Sequence, residues 1–230
     1  MGNEHPTNLF LIAARAPVAG QTKTRLGAAI GMDRAAVLYR AFLTDLAARF
    51  APTAAYDLGW AVSPPDTDFV AVLTDLGRPP APGVRIVPQA GDDWGARQAN
   101  LLRWGHEHGY ARTVLVASDS PHLDAGVPAA AFAALAIHDV AIGRVHDGGY
   151  YLIGVRGANH GVLTGVPMST ASAADAVLAR AAALGLSAAE LPPTFDIDEA
   201  ADLDRLRAAL APDGAAAPAT WAALDGLPSF

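Results

Sequence analysis

The chain opens with an uninterrupted apolar run at residues 9–14, which breaks into a loop that contains Pro17 and Gly20. A short apolar run bounded by turn residues is typical of a strand that is buried on both faces. Such strands belong to parallel sheets that helices cover on both sides. We therefore expect this run to be a central strand of an α/β fold, with the loop at the carboxyl edge of the sheet.

Three cations, Arg15, Lys23 and Arg25, lie in or beside this loop. Ligands of open α/β sheets bind beyond the carboxyl ends of the strands, and cations with backbone N–H groups hold phosphates. Gly20 would let a ligand approach the backbone closely. The loop predicts a polyphosphate site, with solvated surface charges as the alternative. It matches neither the Walker A pattern nor the glycine pattern of dinucleotide-binding domains.

Composition narrows the class of protein. With 230 residues, 52% of them hydrophobic, the chain suits one α/β domain with a large core. A net charge of -7 argues against a nucleic-acid partner. The lack of cysteine excludes disulfides, thiolate zinc sites and thiol nucleophiles. No basic leader or membrane-length apolar run is evident, so we expect a soluble cytoplasmic protein with no membrane partner.

Hydrophobic periodicity and turn residues place strands and helices in alternation. The strands predicted after the first lie at residues 54–62, 84–87, 113–117, 139–143, 150–155 and 188–191. The predicted helices lie at 34–50, 66–76, 96–108, 171–184 and 199–210. A further helix is predicted after Pro121 and ends near residue 137. This alternation predicts an α/β domain with a mostly parallel sheet over residues 8–210. Residues 211–230 form an Ala/Pro-rich tail that we expect to be weakly ordered, with docking through Trp221 and Leu224 as the alternative.

Two acidic turns are candidates for a metal site. Asp119 ends the buried strand at 113–117, and Asp196 and Asp198 form a turn before the last predicted helix. A carboxylate that faces a polyphosphate needs a cation between them, and Mg²⁺ binds one or two carboxylates together with phosphate oxygens. We therefore expect Mg²⁺, or Mn²⁺, at Asp119 with Asp198 or Asp196. The alternative is that Asp119 and Asp198 cap the helices that follow them.

The turn at residues 147–151 suggests a second ligand. Asp147-Gly148 is a common tight-turn signal, but Gly149, Tyr150 and Tyr151 follow it directly. Two glycines and two tyrosines suggest a backbone close to a ligand with an aromatic wall, and Asp147 would hold a hydroxyl or amine of an acceptor, or a second metal. Core packing is the alternative for Tyr151. Since side chains alternate along a strand, only one tyrosine can face the crevice.

The loop after the strand at 84–87 carries groups that suit a nucleobase and a phosphate. The amide of Gln89 can read the edge of a base, and Gly91 and Gly95 would let the base lie against the backbone. Arg97 would bind a phosphate or an acidic acceptor. A solvated loop is the alternative. Ser118 and Ser120 do not form a G-x-S-x-G elbow, so a serine hydrolase is disfavoured.

Four segments together resemble one family. Residues 16–26 resemble the opening K-x-P-x-x-G-x-x-K-T-R-L, 117–123 resemble G-S-D-S-P-x-L, 147–154 match D-G-G-Y-Y-L-I-G, and 196–203 resemble D-x-D-T-x-x-D-L. This set is similar to the radical-SAM/selenodomain-associated transferase 1 family, which is glycosyltransferase-like and lies in the nucleotide-diphospho-sugar transferase superfamily. The opening is also similar to 2-phospholactate guanylyltransferases and, more distantly, to molybdopterin guanylyltransferases.

The resemblance implies one GT-A-like, Rossmann-like domain with a mixed, mostly parallel sheet. It implies that Lys23 and Arg25 bind phosphates and that Asp119 binds the metal, so these three are the candidate catalytic residues. The wider candidate nucleotide site adds Ala13, Ala14, Arg15, Gly20, Gln89, Gly91, Gly95 and Ser118. The candidate acceptor site comprises Arg97, Asp147, Gly148, Gly149, Tyr150, Ser169 and Thr170.

The sequence departs from the family pattern at three places. Arg15 takes the charge of the family's first lysine, Met168 replaces the tryptophan of W-S-T, and Glu199 replaces a threonine. None of these changes removes a predicted metal ligand or the paired cations.

These features favour nucleotidyl transfer. An acceptor phosphate or phosphonate would attack the α-phosphorus of an NTP, and the loop cations with Mg²⁺ would stabilise the departing pyrophosphate. The alternatives are a glycosyltransferase with an NDP-sugar donor and a nucleotide-binding protein without catalysis. The expected partners are a nucleotide and a small-molecule acceptor, and a homodimer is left open.

Overall fold

The first apolar run forms strand β1 (Asn8–Arg15), which lies inside a seven-stranded sheet. The computed structural model describes residues 7–168 and 170–227. The other strands are β2 (Asp57–Ser63), β3 (Arg85–Pro88), β4 (Arg112–Ala117), β5 (Val140–Val145), β6 (Tyr150–Arg156) and β7 (Ala188–Thr194). They are ordered β3-β2-β1-β4-β6-β5-β7. Their positions agree closely with the strands predicted from the sequence.

The sheet is mixed but mostly parallel. Strand β1 pairs in parallel with β2 and β4, β2 pairs in parallel with β3, and β5 pairs in parallel with β7. Strand β6 runs antiparallel to both of its neighbours, β4 and β5. The chain moves from β1 outward through β2 and β3 and then returns to place β4 on the other side of β1. The carboxyl ends of β1 and β4 therefore form the switch point at which open α/β sheets bind ligands.

Helices cover both faces of the sheet, and β1 contributes to both cores. Leu9, Leu11 and Ala13 pack on one face, and the side chains that alternate with them pack on the other. The first face carries α4 (Trp94–Glu107), α6 (Ala173–Ala183) and a 3₁₀ helix (Asn159–Leu163). The second carries α1 (Thr24–Ile30), α2 (Met32–Arg49), α3 (Phe69–Asp75), α5 (Val127–Ile137), α7 (Ala200–Leu210) and α8 (Pro218–Leu224). The predicted α/β class is confirmed.

Helix α1 was not predicted. Its seven residues begin at Thr24, inside the segment expected to be a loop, and Gly31 separates it from α2. A helix of two turns that contains Gly27 has too little apolar periodicity to be recognised locally. Leu26 and Ile30 are buried in the core, so tertiary packing supports the helix. The cationic segment therefore leads directly into a helix.

The C-terminal segment up to residue 227 is not weakly ordered and follows the alternative, in which Trp221 and Leu224 dock it. Helix α8 packs against α2, with Leu224 buried in the core. The carboxylate of Asp45 on α2 accepts hydrogen bonds from the N–H groups of Ala219 (3.0 Å) and Thr220 (2.7 Å). This carboxylate caps the N-terminus of α8 from a helix that is distant in sequence. Local sequence patterns do not predict a cap of this kind. Within residues 7–168 and 170–227, the helices are too short or too polar to cross a membrane.

Candidate active site

Lys23 lies at the centre of the site, at the N-cap of α1. Its backbone is left-handed (φ 49°, ψ 42°), and it is the one residue other than glycine with positive φ in the described part of the chain. The side chain is 5% exposed, and Nζ lies 2.5 Å from Asp119 Oδ1 and 2.9 Å from Asp198 Oδ1. Nζ also donates to the carbonyl oxygen of Ile197 at 2.7 Å. Strained backbone of this kind concentrates at functional sites.

The charge of Lys23 is held by its two carboxylate partners. Burial alone would lower the pKa of this lysine, but the attraction of Asp119 and Asp198 outweighs burial and raises the pKa above its ordinary value. The ammonium group therefore stays protonated at neutral pH. Lys23 is also the single lysine of the chain, which otherwise uses 15 arginines as its basic residues.

Backbone and side-chain contacts between two loops bring Asp119 and Asp198 together. Ile197 donates its N–H to the carbonyl oxygen of Asp119 at 3.1 Å, and Ser120 Oγ donates to the carbonyl oxygen of Phe195 at 2.7 Å. The ring of His122 stacks on Phe195 with centroids 4.1 Å apart. These contacts hold the loop before α7 against the end of β4. They explain how two carboxylates so far apart in sequence reach the same ammonium group.

The alternative helix-capping roles are taken by other groups. Asp202 accepts the N–H groups of Asp198 (2.9 Å) and Glu199 (2.7 Å) at the start of α7. The helix that follows Asp119, α5, begins only at Val127. The carboxylates of Asp119 and Asp198 are thus directed to Lys23.

A first cavity of about 390 Å³ opens above Lys23. Among the predicted nucleotide-site residues, those that line it are Ala13, Ala14, Arg15, Lys23, Arg25, Gln89 and Ser118. Arg97, which was predicted to hold the acceptor, lines this first cavity. Gly20, Gly91 and Gly95 are not among the lining residues. The structure therefore gathers Arg15, Arg25 and Arg97 with Lys23 around one cavity.

Two of the predicted glycines lie close to the chain's own backbone. A Cβ on Gly148 would lie 1.8 Å from the carbonyl oxygen of Ala171, and the φ of Gly148 is +90°. A Cβ on Gly91 would lie 2.8 Å from the backbone nitrogen of Arg97. The missing side chain makes room for the turn that precedes α6 in the first case and for the first turn of α4 in the second, so packing already accounts for these glycines.

Hydrogen bonds orient the polar groups of the first cavity. Gln89 Nε2 donates to the carbonyl oxygens of Ala14 (3.3 Å) and Ala61 (2.8 Å), so its carbonyl end remains free to accept from a ligand. The hydroxyl of Tyr39 lies 2.7 Å from Ser118 Oγ and accepts the N–H of Arg15 at 3.0 Å. Burial, with Asp119 nearby, raises the pKa of Tyr39 to about 12, so this hydroxyl stays protonated.

A second cavity, of about 540 Å³, adjoins the first and shares Arg25, Trp94, Asp119 and Asp198 with it. Of the predicted acceptor residues, it is lined by Asp147, Gly149, Tyr150 and Thr170, and Asp196 also lines it. Gly148 is not a lining residue, and Ser169 lies outside the described residues.

The two tyrosines of the second cavity lie on opposite faces of the sheet. Tyr150 packs with the α4 face, whereas Tyr151 packs on the α2 face and donates to the carbonyl oxygen of Pro192 at 3.1 Å. This alternation was expected from the strand, but the expectation that only one tyrosine would face the crevice is wrong, because both tyrosines line the second cavity.

Sequence reasoning missed several lining residues, and two of them, Trp94 and Gln98, present side chains that could contact a ligand. Trp94 is 38% exposed at the start of α4 and lines both cavities. An aromatic residue directly after two aspartates at a helix start was the available signal. Gln98, one turn later, is 2% exposed and lines the second cavity. A glutamine within an amphipathic helix carries no such signal.

The acidic side of the second cavity alters the protonation of one carboxylate. Burial, followed by repulsion from Asp198 and Asp147, raises the pKa of Asp196 to about 6. In residues 7–168 and 170–227 no three His, Asp or Glu side chains are arranged to hold a metal by themselves.

Comparison with known proteins identifies relatives of this fold. Residues 57–170 match the family model DUF2064, described as an uncharacterized protein conserved in bacteria. The structure of a proposed nucleotide-diphospho-sugar transferase from Desulfovibrio desulfuricans G20 superposes with a TM-score of 0.85 at 29% identity, covering 96% of this chain and 95% of that one. None of the curated proteins compared matches the chain.

Two synthetases share the fold at lower identity. 4-Diphosphocytidyl-2C-methyl-D-erythritol synthase has a TM-score of 0.55 at 17% identity, covering 91% of this chain and 100% of that one. CMP:2-keto-3-deoxy-manno-octonic acid synthetase complexed with CTP has a TM-score of 0.54 at 12% identity, and the match covers 89% of this chain and 98% of that one. The fold is therefore shared with nucleotide-diphospho-sugar transferases and cytidylyltransferase-type proteins.

Proposed function

We propose that this protein is a divalent-metal-dependent nucleotidyltransferase that joins the nucleotide part of an NTP to a small acceptor and releases pyrophosphate. The fold and the D. desulfuricans relative support a transferase that uses an activated nucleotide. The motif resemblance to the radical-SAM/selenodomain-associated transferase 1 family and to guanylyltransferases belongs to the same proposal.

The observation that carries the proposal is the meeting of four cations and two carboxylates at the switch point of the sheet. Arg15, Lys23, Arg25 and Arg97 line the first cavity with Asp119 and Asp198. A nucleoside triphosphate carries about four negative charges near neutral pH, because its terminal phosphate titrates near pH 6. Bound with one divalent cation, it would match the net positive charge of this cavity. An NDP-sugar with the same cation would be nearly neutral and would match it less well.

The carboxylate pair suits a divalent cation in its donor chemistry. One Nζ atom contacts both Asp119 and Asp198, so oxygens of both carboxylates reach a single cationic centre. Mg²⁺ typically takes one or two carboxylates and completes its shell with phosphate oxygens and water. Asp119 and Asp198 would hold Mg²⁺ or Mn²⁺ together with the nucleotide. The bound cation would neutralise charge on the phosphate oxygens.

The chain's own residues bind and orient the reactants. The acceptor oxygen forms a bond to the α-phosphorus, the bond from that phosphorus to the bridging oxygen breaks, and pyrophosphate leaves with the electron pair. Lys23, Arg25 and Arg15 stabilise the charge that develops on the leaving group. Trp94 offers a face on which a ring can stack at the mouth of both cavities. Positioning and electrostatics are sufficient, so no covalent enzyme intermediate is required.

Glycosyl transfer from an NDP-sugar is the second candidate. It is favoured by the D. desulfuricans relative, which is described as a proposed nucleotide-diphospho-sugar transferase. In that reaction Asp119 with the metal would stabilise a departing nucleoside diphosphate. The two reactions differ in the product, since the first releases pyrophosphate and the second releases an NDP.

The test is thermal shift of the purified protein with each NTP and several NDP-sugars, with and without Mg²⁺, followed by a pyrophosphate-release assay. A ligand that binds only the folded state raises the melting temperature. We expect Mg²⁺-dependent stabilisation by one NTP, which Asp119→Asn abolishes. The exposed carboxylate of Asp75, outside both cavities, provides the control Asp75→Asn, which retains it. Stabilisation by an NDP-sugar beyond its NDP would favour glycosyl transfer, and no shift with any nucleotide would refute the proposal.

A further inference from the structure

The second cavity is acidic. Four carboxylates line it, from Asp119, Asp147, Asp196 and Asp198. Among the described residues, its one lining arginine or lysine is Arg25, which also lines the first cavity. Lys23 lies behind Asp119 and Asp198 and already pairs with them. With a divalent cation held by Asp119 and Asp198, the carboxylates of this cavity that are not assigned to the metal are Asp147 and Asp196, and a phosphate or phosphonate beside these two would be repelled.

A buried hydrogen-bond donor in the same cavity lacks a partner in regular hydrogen-bond geometry. The side chain of Gln98 is buried, lines the second cavity, and its Nε2 makes no hydrogen bond. Burial raises the pKa of the Tyr150 hydroxyl, and the nearby Gln98 amide opposes this shift without making a hydrogen bond of regular geometry, while the hydroxyl itself donates to Met168 Sδ at 3.3 Å. Buried polar groups are nearly always hydrogen-bonded, so each exception requires an explanation. An oxygen atom of a bound ligand would supply the missing acceptor.

The cavity therefore offers an amide donor on one wall and carboxylate acceptors on another. A hydroxyl group meets both requirements, because it can accept from Gln98 and donate to Asp147 or Asp196. A phosphate would satisfy only Gln98, and an ammonium group would satisfy only the carboxylates. The volume of about 540 Å³ suits a small ligand with several such groups.

From this pattern we infer that the acceptor is an uncharged small molecule with several hydroxyl groups, and that Gln98 and Asp147 are its specificity-determining residues. The inference rests on the proposed function, since it names the acceptor of that reaction, and it revises the phosphate-bearing acceptor expected from the sequence. An acceptor hydroxyl oxygen bonds to the α-phosphorus, pyrophosphate leaves, and the hydroxyl proton passes to water.

Matched pairs of acceptors test the inference. The wild-type protein is first shown to be stabilised by its Mg²⁺-bound NTP. Pyrophosphate release is then measured with glycerol, glucose and myo-inositol and with glycerol 3-phosphate, glucose 6-phosphate and inositol 1-phosphate. We expect at least one uncharged compound to be used, with kcat/KM about tenfold or more above its phosphorylated partner. Preference for the phosphorylated member, or no release with any uncharged compound, would overturn the inference.

Variants of Gln98 test its role separately. Gln98→Leu removes the amide at similar size, and we expect it to raise KM for the uncharged acceptor about tenfold, the effect of one lost hydrogen bond. The thermal shift with Mg²⁺ and NTP should be unchanged. The control, Gln21→Leu, alters an exposed glutamine that lines neither cavity. An unchanged acceptor KM in Gln98→Leu would contradict the assignment. If no nucleotide stabilises the wild-type protein, the proposed function itself is refuted. If a nucleotide stabilises it but the uncharged acceptors are not used, only the acceptor inference is refuted.

Discussion

Replacement of Lys23 by methionine is the most direct test of the site. Methionine has a similar length and no charge, so Lys23→Met removes the ammonium group and leaves the shape of the side chain nearly intact. In the variant, Asp119 and Asp198 repel one another without the cation that contacts both of them. We expect the metal-free protein to lose stability and a divalent cation to restore much of the loss.

The size of the effect follows from burial. Removal of one partner from a fully buried ion pair costs about 3–5 kcal/mol. Here Lys23 is 5% exposed, but Asp119 and Asp198 are 35% and 45% exposed, so water screens the two carboxylates once they are unpaired. We therefore expect a loss of about 2 kcal/mol. For a domain of this size, about 2–4 °C per kcal/mol converts the loss into a decrease of about 4–8 °C in Tm.

Thermal unfolding with added metal measures the compensation. Millimolar MgCl₂ or MnCl₂ should raise Tm of Lys23→Met by about half of the loss or more, because the cation then meets two unpaired carboxylates. In the wild-type protein the metal must displace an ammonium group, so the metal alone should have a much smaller effect. NaCl at equal ionic strength controls for screening. The double variant Lys23→Met/Asp119→Asn, with one carboxylate neutralised, should lose most of the response to metal.

Two results would refute this reasoning. One is a Lys23→Met variant that melts at the wild-type temperature, since the ammonium group would then contribute nothing to the folded state. The other is an equal shift by metal in both proteins, which would mean that the cation binds away from Asp119 and Asp198.

Further predictions concern titration and packing. Because Lys23 is the single lysine, selective isotope labelling should give one lysine side-chain NMR signal, titrating above the ordinary pKa of about 10.4. The pKa of Asp196 is about 6 in the folded protein, against about 3.9 for an unfolded aspartate. As the pH rises from 4 to 6, the free energy of unfolding of the wild-type protein should therefore fall relative to that of Asp196→Asn. The expected difference is about 1–2 kcal/mol, because Asp196 is partly exposed. Asp45→Ala removes a buried acceptor of two N–H groups of α8 and should cost about 2–3 kcal/mol in urea unfolding. Gly148→Ala places a Cβ against a backbone carbonyl and should lower the free energy of unfolding by about 3 kcal/mol or more. The control Gly157→Ala should lower it by only about 1 kcal/mol, because Gly157 also has a positive φ but no atom lies near the added Cβ.

The sequence determined the class of fold and the edge of the sheet at which the site lies. The run at residues 9–14 is apolar at every position, and both faces of β1 are in fact buried. This prediction succeeds because burial on two faces leaves a purely local pattern. The rule that ligands bind at the carboxyl ends of parallel strands then directed attention to Lys23, Arg25 and Asp119.

Only the tertiary structure decided how these groups meet. Lys23 and Asp198 are separated by 175 residues, and their contact depends on the loop before α7 lying against the end of β4. The sequence predicted Lys23 as a phosphate ligand and Asp198 as a metal ligand, but no local pattern indicates that the two pair directly. Pairing across such a separation is set by the packing of whole elements.

The same reason explains the glycine and glutamine of the second cavity. In sequence, Gly148 indicates only that a side chain is excluded, and the structure identifies the neighbour as the backbone of Ala171. Gln98 resembles any polar residue of a helix until the fold buries its amide against a cavity that contains four carboxylates. The local sequence determines the hydrophobic periodicity and the charge of each helix or strand. The chemistry of a cavity depends on which helices, strands and loops pack together around it, and this is set only by the tertiary structure.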